Sequence, residues 1–361
     1  MSRLVISDWS AISPFGVERD AFTAGITAGA VAGTVRPDRL EALPGDGLAH
    51  EVPDFDIRQV LGSKGTRSMD RLSALSVAGV RQLLDAVPGR RVSATGRRTA
   101  LVLGTTSGSV QTMVNLTRDT LVQQRPFYVQ AAQIPSGIMN SAAAQCAIWH
   151  GITGPNATVG GGRAAGLFAL RYALRLHAAG RADTVLCGAA EELTHARAWV
   201  EHQGRPAGEP SGPLGEGCAV LLLERTEEVD GGLCEVLAVE TGIHGGTDVE
   251  PALTECLTRT FDRAGVDPGT VWAVSTQAGA GPLGVAERNA VDALLKDERT
   301  RRVPTNQPWG EAGAVTVPFQ LASVLVEAGR DPAAAGGTAL VVAVDQDGVL
   351  GCALLRMGTS G

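Results

Sequence analysis

Three consecutive glycines, Gly160-Gly161-Gly162, follow the strand-like run Asn156-Ala157-Thr158-Val159 and precede a helical stretch. A strand that feeds a turn opening a helix is the setting in which backbone N–H groups hold phosphate, and Ala165 takes the third glycine's place. A dinucleotide site over residues 160–165 would make the protein an NAD(P)-binding oxidoreductase. That fingerprint also asks for an acid about 20 residues on, closing the next strand. Asp183 instead opens the next strand and Glu191 lies beyond the spacing, so the turn alone is weak support. Thiol and metal chemistry have less to stand on. Cys146, Cys187, Cys218, Cys234, Cys256 and Cys352 form no C-x-x-C, and none lies near a histidine at ligand spacing. Most fall inside apolar runs, so buried free thiols and no metal are expected. The six histidines are His50, His150, His177, His195, His202 and His244, and none lies beyond 244. Glu311 is then the only obvious acid–base group late in the chain, and nothing pairs with it as a nucleophile. His150 in AIWHGITG reads as a loop residue making a structural hydrogen bond. His195 and His202 read as surface, and Trp309 as core.

Composition narrows the class. Hydrophobic residues make up 44% and charged residues 19%, which excludes a disordered chain. A net charge of −7 excludes broad nucleic-acid binding. Lysine occurs only at Lys64 and Lys296, so nearly all basic residues are arginine. Arg90-Arg91 and Arg97-Arg98 make one local basic patch, either a solvated loop or a dock for an acidic partner. No apolar run reaches the length that spans a bilayer, and MSRLVISDWS lacks a signal peptide's apolar stretch, so a cytoplasmic protein without a membrane partner is expected.

The elements that position these residues alternate. Strands are predicted at 4–7, 100–106, 156–159, 183–190 and 218–224, and helices over 66–86, 108–123 and 166–180. The second part repeats the pattern, with strands at 234–243, 271–277 and 303–306, and helices at 251–264, 285–295 and 312–327. Residues 339–345 and 350–357 close as a hairpin. Such alternation means an α/β protein with helices on the faces of a largely parallel sheet. Two similar parts meet near 225–233, in one compact body.

Six segments, in order, resemble the β-ketoacyl synthases, the condensing enzymes of fatty acid and polyketide assembly. They are GTTSGS (104–109), GPNATVGGGRAAG (154–166), RADTVLCGAAEE (181–192), LGEGCAVLLLE (214–224), AGVDPGTVWAVSTQAGAGPLG (264–284) and VPTNQPWGEAG (303–313). The resemblance implies a thiolase-like fold: two similar βαβαβ halves, 1–228 and 229–361, in a five-layer α-β-α-β-α sandwich, normally dimeric. The family's catalytic groups do not carry over. Its nucleophilic cysteine falls on Arg163, its two histidines on Gln277 and Glu311, and its lysine on Asn306. Arginine stays protonated and cannot accept an acyl group near neutral pH.

A family member without these groups resembles the chain-length factor of type II polyketide synthases, although such factors usually show Gln where this chain has Arg163. The resemblance implies a catalytically inactive subunit, without cofactor, that heterodimerises with an active ketosynthase. It would meet the acyl carrier protein and its growing chain mainly through that partner. The chain is short for an aromatic-polyketide factor, which points toward reducing, polyene-type systems. The alternatives are the oxidoreductase above and a condensing-fold enzyme with non-standard residues. The resemblance also implies that the helix after GTTSGS lines the acyl tunnel. Its facing set is either Gln111, Val114, Arg118 or Thr112, Asn115, Asp119, and the modest volumes of Thr112 and Asn115 favour the second. Residues 131–140, with Ile134 and Met139, resemble the segment that crosses the family's dimer interface. An arginine and a carboxylate entering one buried cavity are costly unless paired, so an Arg163–Glu311 ion pair is expected, with Gln277 satisfying a leftover group.

Overall fold

The computed structural model describes residues 3–35, 40, 43–67, 69–206, 208–226, 231–245, 248–277, 279, 281–296, 299–303 and 308–359. Five strands build the N-terminal part of the sheet: β1 Leu4–Ile12, β2 Thr99–Thr105, β3 Asn156–Gly160, β4 Thr184–Glu191 and β5 Gly217–Arg225. Five more build the C-terminal part: β6 Cys234–Ile243, β7 Val271–Ser275, β8 Arg301–Arg302, β9 Thr338–Val344 and β10 Val349–Met357. Every residue of β2 and of β9 is buried, as expected of strands covered on both faces.

The strand order is β3-β2-β4-β5-β1-β6-β10-β9-β7-β8. Read outward from the centre, the C-terminal five repeat the arrangement of the N-terminal five. β2 pairs in parallel with β3 and β4, as β7 does with β8 and β9. The halves join where β1 meets β6 antiparallel, at Val5↔Glu235 and Ile6↔Cys234. The hairpin expected of β9 and β10 is present.

Nine helices matter for the site: α1 Arg19–Thr27, α2 Arg71–Asp85, α3 Val110–Val122, α4 Ser141–His150, α5 Ala165–Ala178, α6 His195–Gly204, α7 Glu250–Ala264, α8 Pro282–Leu294 and α9 Thr316–Ala328. α5 packs on β2 and β4 and also on β6 and β10, while α9 packs on β5 and β9. These two helices form the middle layer, and their small and aliphatic residues sit in the largest apolar cluster. α2 and α4 cover the outer face of the N-terminal sheet, and α7 and α8 that of the C-terminal sheet. The result is the five-layer thiolase-like α/β sandwich. All six cysteines are buried free thiols.

Local differences from the sequence pattern have physical causes. AIWHGITG is not a loop: the alanine-rich run 141–150 forms α4, and Gly151 (φ 71°) ends it. α6 was not predicted because its polar composition hides it, and Thr194 caps it by accepting from the Arg197 N–H. α8 begins earlier than expected, with Pro282 in its first turn. The strand expected at 303–306 is β8 at 301–302, and residues 304–307 lie outside the described residues.

Candidate functional site

Arg163 stands at the turn between β3 and α5, in a short 3-10 segment Gly162–Ala164. Gly162 adopts φ 51°, and a Cβ there would run into the carboxylate of Asp345. Asp345 follows β9 and comes from the other half of the chain. Its Oδ2 accepts the backbone N–H of Arg163 at 2.8 Å, and its Oδ1 accepts that of Asp347 at 3.0 Å. Burial raises the Asp345 pKa above the ordinary aspartate value, against the pull of these donors.

The Arg163 guanidinium reaches Glu311, with Nη2 to Oε2 at 3.4 Å. Arg205 reaches the same oxygen at 3.3 Å, and the Gly212 N–H donates to Oε1 at 3.3 Å. The Glu311 backbone is held independently. Its N–H donates to the Pro213 carbonyl at 2.9 Å, and its carbonyl accepts from the Gly215 N–H at 3.0 Å and from Arg197 Nη2 at 2.9 Å.

Gln277 does not complete this pair. It lies after β7, buried, where its Oε1 accepts from the Val344 N–H at 3.3 Å and its own N–H donates to Glu287 at 3.0 Å. Among the described residues no hydrogen bond joins it to Arg163 or Glu311. The link is indirect, because Val344 adjoins Asp345. Asn306 lies outside the described residues.

Beneath this cluster runs a buried ionic network that the sequence pattern did not announce. Glu191, ending β4, accepts from the Thr106 backbone and hydroxyl and from the Ala314 N–H at 3.1 Å. Gly313 (φ 54°) opposes it, and a Cβ there would lie 2.6 Å from Oε2. Burial raises its pKa, although Arg197 Nε lies 3.9 Å away. Glu192 accepts from the Leu72 N–H and the Ser109 hydroxyl, each at 3.2 Å, and burial pushes its pKa to about 8. Glu216 is held by Arg71 Nε at 2.7 Å and Nη2 at 2.5 Å and by two backbone N–H groups. The paired glutamates were visible in CGAAEE, but nothing local marks Arg197 beside Glu191 or Arg71 on Glu216.

The helix after β2 presents two different faces. On α3, Thr112 is buried and Asn115 and Asp119 are half-buried, whereas Val114 and Arg118 are exposed and Gln111 is half-buried. Thr112 shares a hydroxyl contact with Ser109 at 2.9 Å. Gln111 donates to Asn115 at 3.0 Å and accepts from the Ala196 N–H at 3.0 Å, tying α3 to α6. Met113, Leu121, Val122, Phe127, Tyr128, Ile134, Ile138 and Met139 stand exposed around this helix. Segment 131–140 is largely exposed and includes two 3-10 turns.

Lesser candidates resolve individually. His150 Nε2 faces the Val77 carbonyl at 2.9 Å and Nδ1 faces Arg91 at 3.0 Å. Its pKa is lowered to about 4, chiefly by burial, so it is a neutral structural residue. Trp309 is fully buried against Phe22 and Phe319. The basic patch is largely neutralised: Arg90 pairs with Asp8 at 2.5 Å, Arg91 with Asp85 at 2.6 Å, and Arg98 with Asp183. The glycine turn is no pyrophosphate cradle. The Asp345 carboxylate already takes the Arg163 N–H there and would repel a second anion, so the oxidoreductase reading falls.

A fold of this layering, with Arg163, Asp345 and Glu311 meeting at its centre, belongs with the condensing enzymes. Residues 2–229 match the beta-ketoacyl synthase N-terminal domain, and the chain belongs to that family. It is 43% identical to the ishigamide ketosynthase/chain length factor, with a TM-score of 0.93 and 99% of both chains covered. It is 24% identical over 355 residues to 3-oxoacyl-[acyl-carrier-protein] synthase 2 of Vibrio harveyi, covering 87% of this chain and 83% of that one. A beta-ketoacyl synthase from Burkholderia phymatum shares the fold at 20% identity, with a TM-score of 0.82 and 99% and 100% of the two chains covered.

Proposed function

We propose that this chain is a chain-length-factor subunit: it pairs with an active ketosynthase of a type II polyketide system and performs no condensation itself. The observation that carries the reading is the engagement of Arg163, which the sequence motif aligns with the family's nucleophile, with Asp345 and Glu311. No thiol adjoins it, and no histidine occurs after His244. The likeness to a ketosynthase/chain length factor supports the same reading.

The partner face is the surface of α3, segment 131–140 and the edge strand β3. Between Thr106 and Gly162 the only Asp, Glu, Lys or Arg residues are Arg118, Asp119 and Arg125, an interval poor in charge and rich in exposed apolar side chains. Such composition suits a permanent interface of more than about 2,000 Å². The inward set Thr112, Asn115 and Asp119 would then limit the acyl chain. A condensing enzyme with unusual residues is the weaker reading, because among the described residues no thiol or imidazole is bonded to Glu311. The halves divide at 228/229, and the cytoplasm, where carrier-bound chains are made, is the proposed location.

Co-expression with the cognate ketosynthase tests the proposal. The expected outcome is one complex containing both chains, while this chain alone aggregates or self-associates. A stable soluble monomer that ignores the ketosynthase overturns it.

A further inference from the structure

Glu311 lies where three donors from separate parts of the chain converge. Arg163, Arg205 and the Gly212 N–H approach its carboxylate at 3.4, 3.3 and 3.3 Å. These are the long end of hydrogen bonding, whereas Arg71 closes on Glu216 at 2.7 and 2.5 Å. Glu311 cannot settle closer, because Pro213, Gly215 and Arg197 fix its backbone on both sides. Its carboxylate therefore underfills the space between two guanidinium groups that have donors to spare. Beside it opens a cleft of about 170 Å³ lined in part by His202, Arg205, Ser211 and Gly212.

We propose that Arg163, Arg205 and the Gly212 N–H form a carboxylate-binding site that the protein fills with its own Glu311. Shortening that side chain turns the site into a receptor for a small external monocarboxylate. In the intact chain Glu311 competes with any acyl carboxylate approaching Arg163. Asp345 behind Arg163, and Asp46 and Glu201 on the cleft wall, disfavour a dianion. The ligand class is thus formate or acetate rather than phosphate. This inference rests on the reading of the pocket as closed to condensation, and does not need the ketosynthase partner.

The test is a thermal titration of the Glu311→Ala full chain, purified with its partner subunit, using sodium formate and acetate against sodium chloride at equal ionic strength. A saturable rise of about 2–4 °C is expected with the carboxylates and not with chloride. The wild type, already filled, and Arg163→Met/Glu311→Ala should lack it. Equal responses to formate and chloride, or equal responses of wild type and variant, overturn the proposal. If Glu311→Ala does not fold unaided, refolding yield with and without formate is the readout, and no restoration overturns it. If no partner subunit co-purifies, the chain-length reading fails, and the same titration and refolding test are run on the chain alone.

Discussion

The backbone N–H of Arg163 donates to Asp345 across 182 residues of sequence, at 2.8 Å, and so ties the start of α5 to the end of β9. This helix start, which we propose corresponds to the family's nucleophile position, receives a carboxylate from the opposite half. Its side chain is drawn the other way, to Glu311. The charges at the centre of the fold are occupied with one another.

That arrangement makes the Arg163–Glu311 pair asymmetric. Arg163→Met leaves Arg205 to balance Glu311, so it should cost only about 1 kcal/mol. Glu311→Gln removes the carboxylate that both guanidinium groups share and should cost about 2 kcal/mol or more. Both are below the cost of breaking an isolated buried pair, because Arg205 shares the load and each side chain retains some exposure. Denaturant unfolding of both singles and the double variant should give a coupling of about 0.5–1 kcal/mol. Strict additivity would show that the side chains do not interact in solution.

Restoring the thiol should not restore catalysis. In Arg163→Cys the sulfur would sit beside Asp345, whose carboxylate disfavours a thiolate, and Glu311 offers it no imidazole, while the Gln277 side chain is turned to Val344. No acyl-enzyme is expected by intact mass after incubation with acetyl or malonyl thioesters, and no condensation without the active partner. Turnover by the single variant would contradict the assignment of Gln277 and Glu311 to the histidine points.

The fold was legible because its signals are local: strand-like runs at 234–243 and 350–357, and glycine stops after helices such as Gly265. The identity of the central residues was legible too, since Arg163 and Glu311 follow from position within motifs. Their surroundings were not. Asp345 and Arg205 are brought in by the packing of two halves, and no spacing in the chain links residue 163 to 345. Gln277 was misplaced for the same reason: alignment locates the residue, but the direction of its side chain depends on Val344 and Glu287. α6 stayed hidden because its stability comes from the Thr194 cap and from packing on α3 rather than from periodicity.

Asn115 should set product length more cleanly than Thr112. Asn115 is half-buried and, among the described residues, its side chain is bonded to Gln111 on the same helix, so Asn115→Trp adds volume without breaking a distant contact. Thr112 is packed beside Ser109 and close to Gly137, and a Trp there should overpack the helix by about 1–3 kcal/mol. Shorter products by mass spectrometry, from an intact complex, are expected for Asn115→Trp. Unchanged products would move the tunnel to the Gln111, Val114, Arg118 face or remove length control from this helix.

Glu192 should give the protein a pH-dependent stability that one substitution reduces. It receives donors at the N-terminal ends of two helices, Leu72 of α2 and Ser109 before α3, both of which would favour its charge. Burial wins, helped by the nearby Asp70 and Glu191, and holds the folded pKa near 8 against an ordinary 4.5. The native state therefore keeps a proton that the unfolded chain has released. The stabilisation is fully present below about pH 4.5 and is lost as pH rises toward about 8, at a slope of up to about 1.4 kcal/mol per pH unit. In Glu192→Gln the amide reproduces the protonated shape, and the Ser109 hydroxyl can turn to accept from it. Melting temperatures across this range should fall less steeply for the variant than for wild type. Glu191 and Asp345, also raised by burial, leave a residual slope. Parallel curves would mean that Glu192 is ionised in the folded protein and that its helix-end donors outweigh burial.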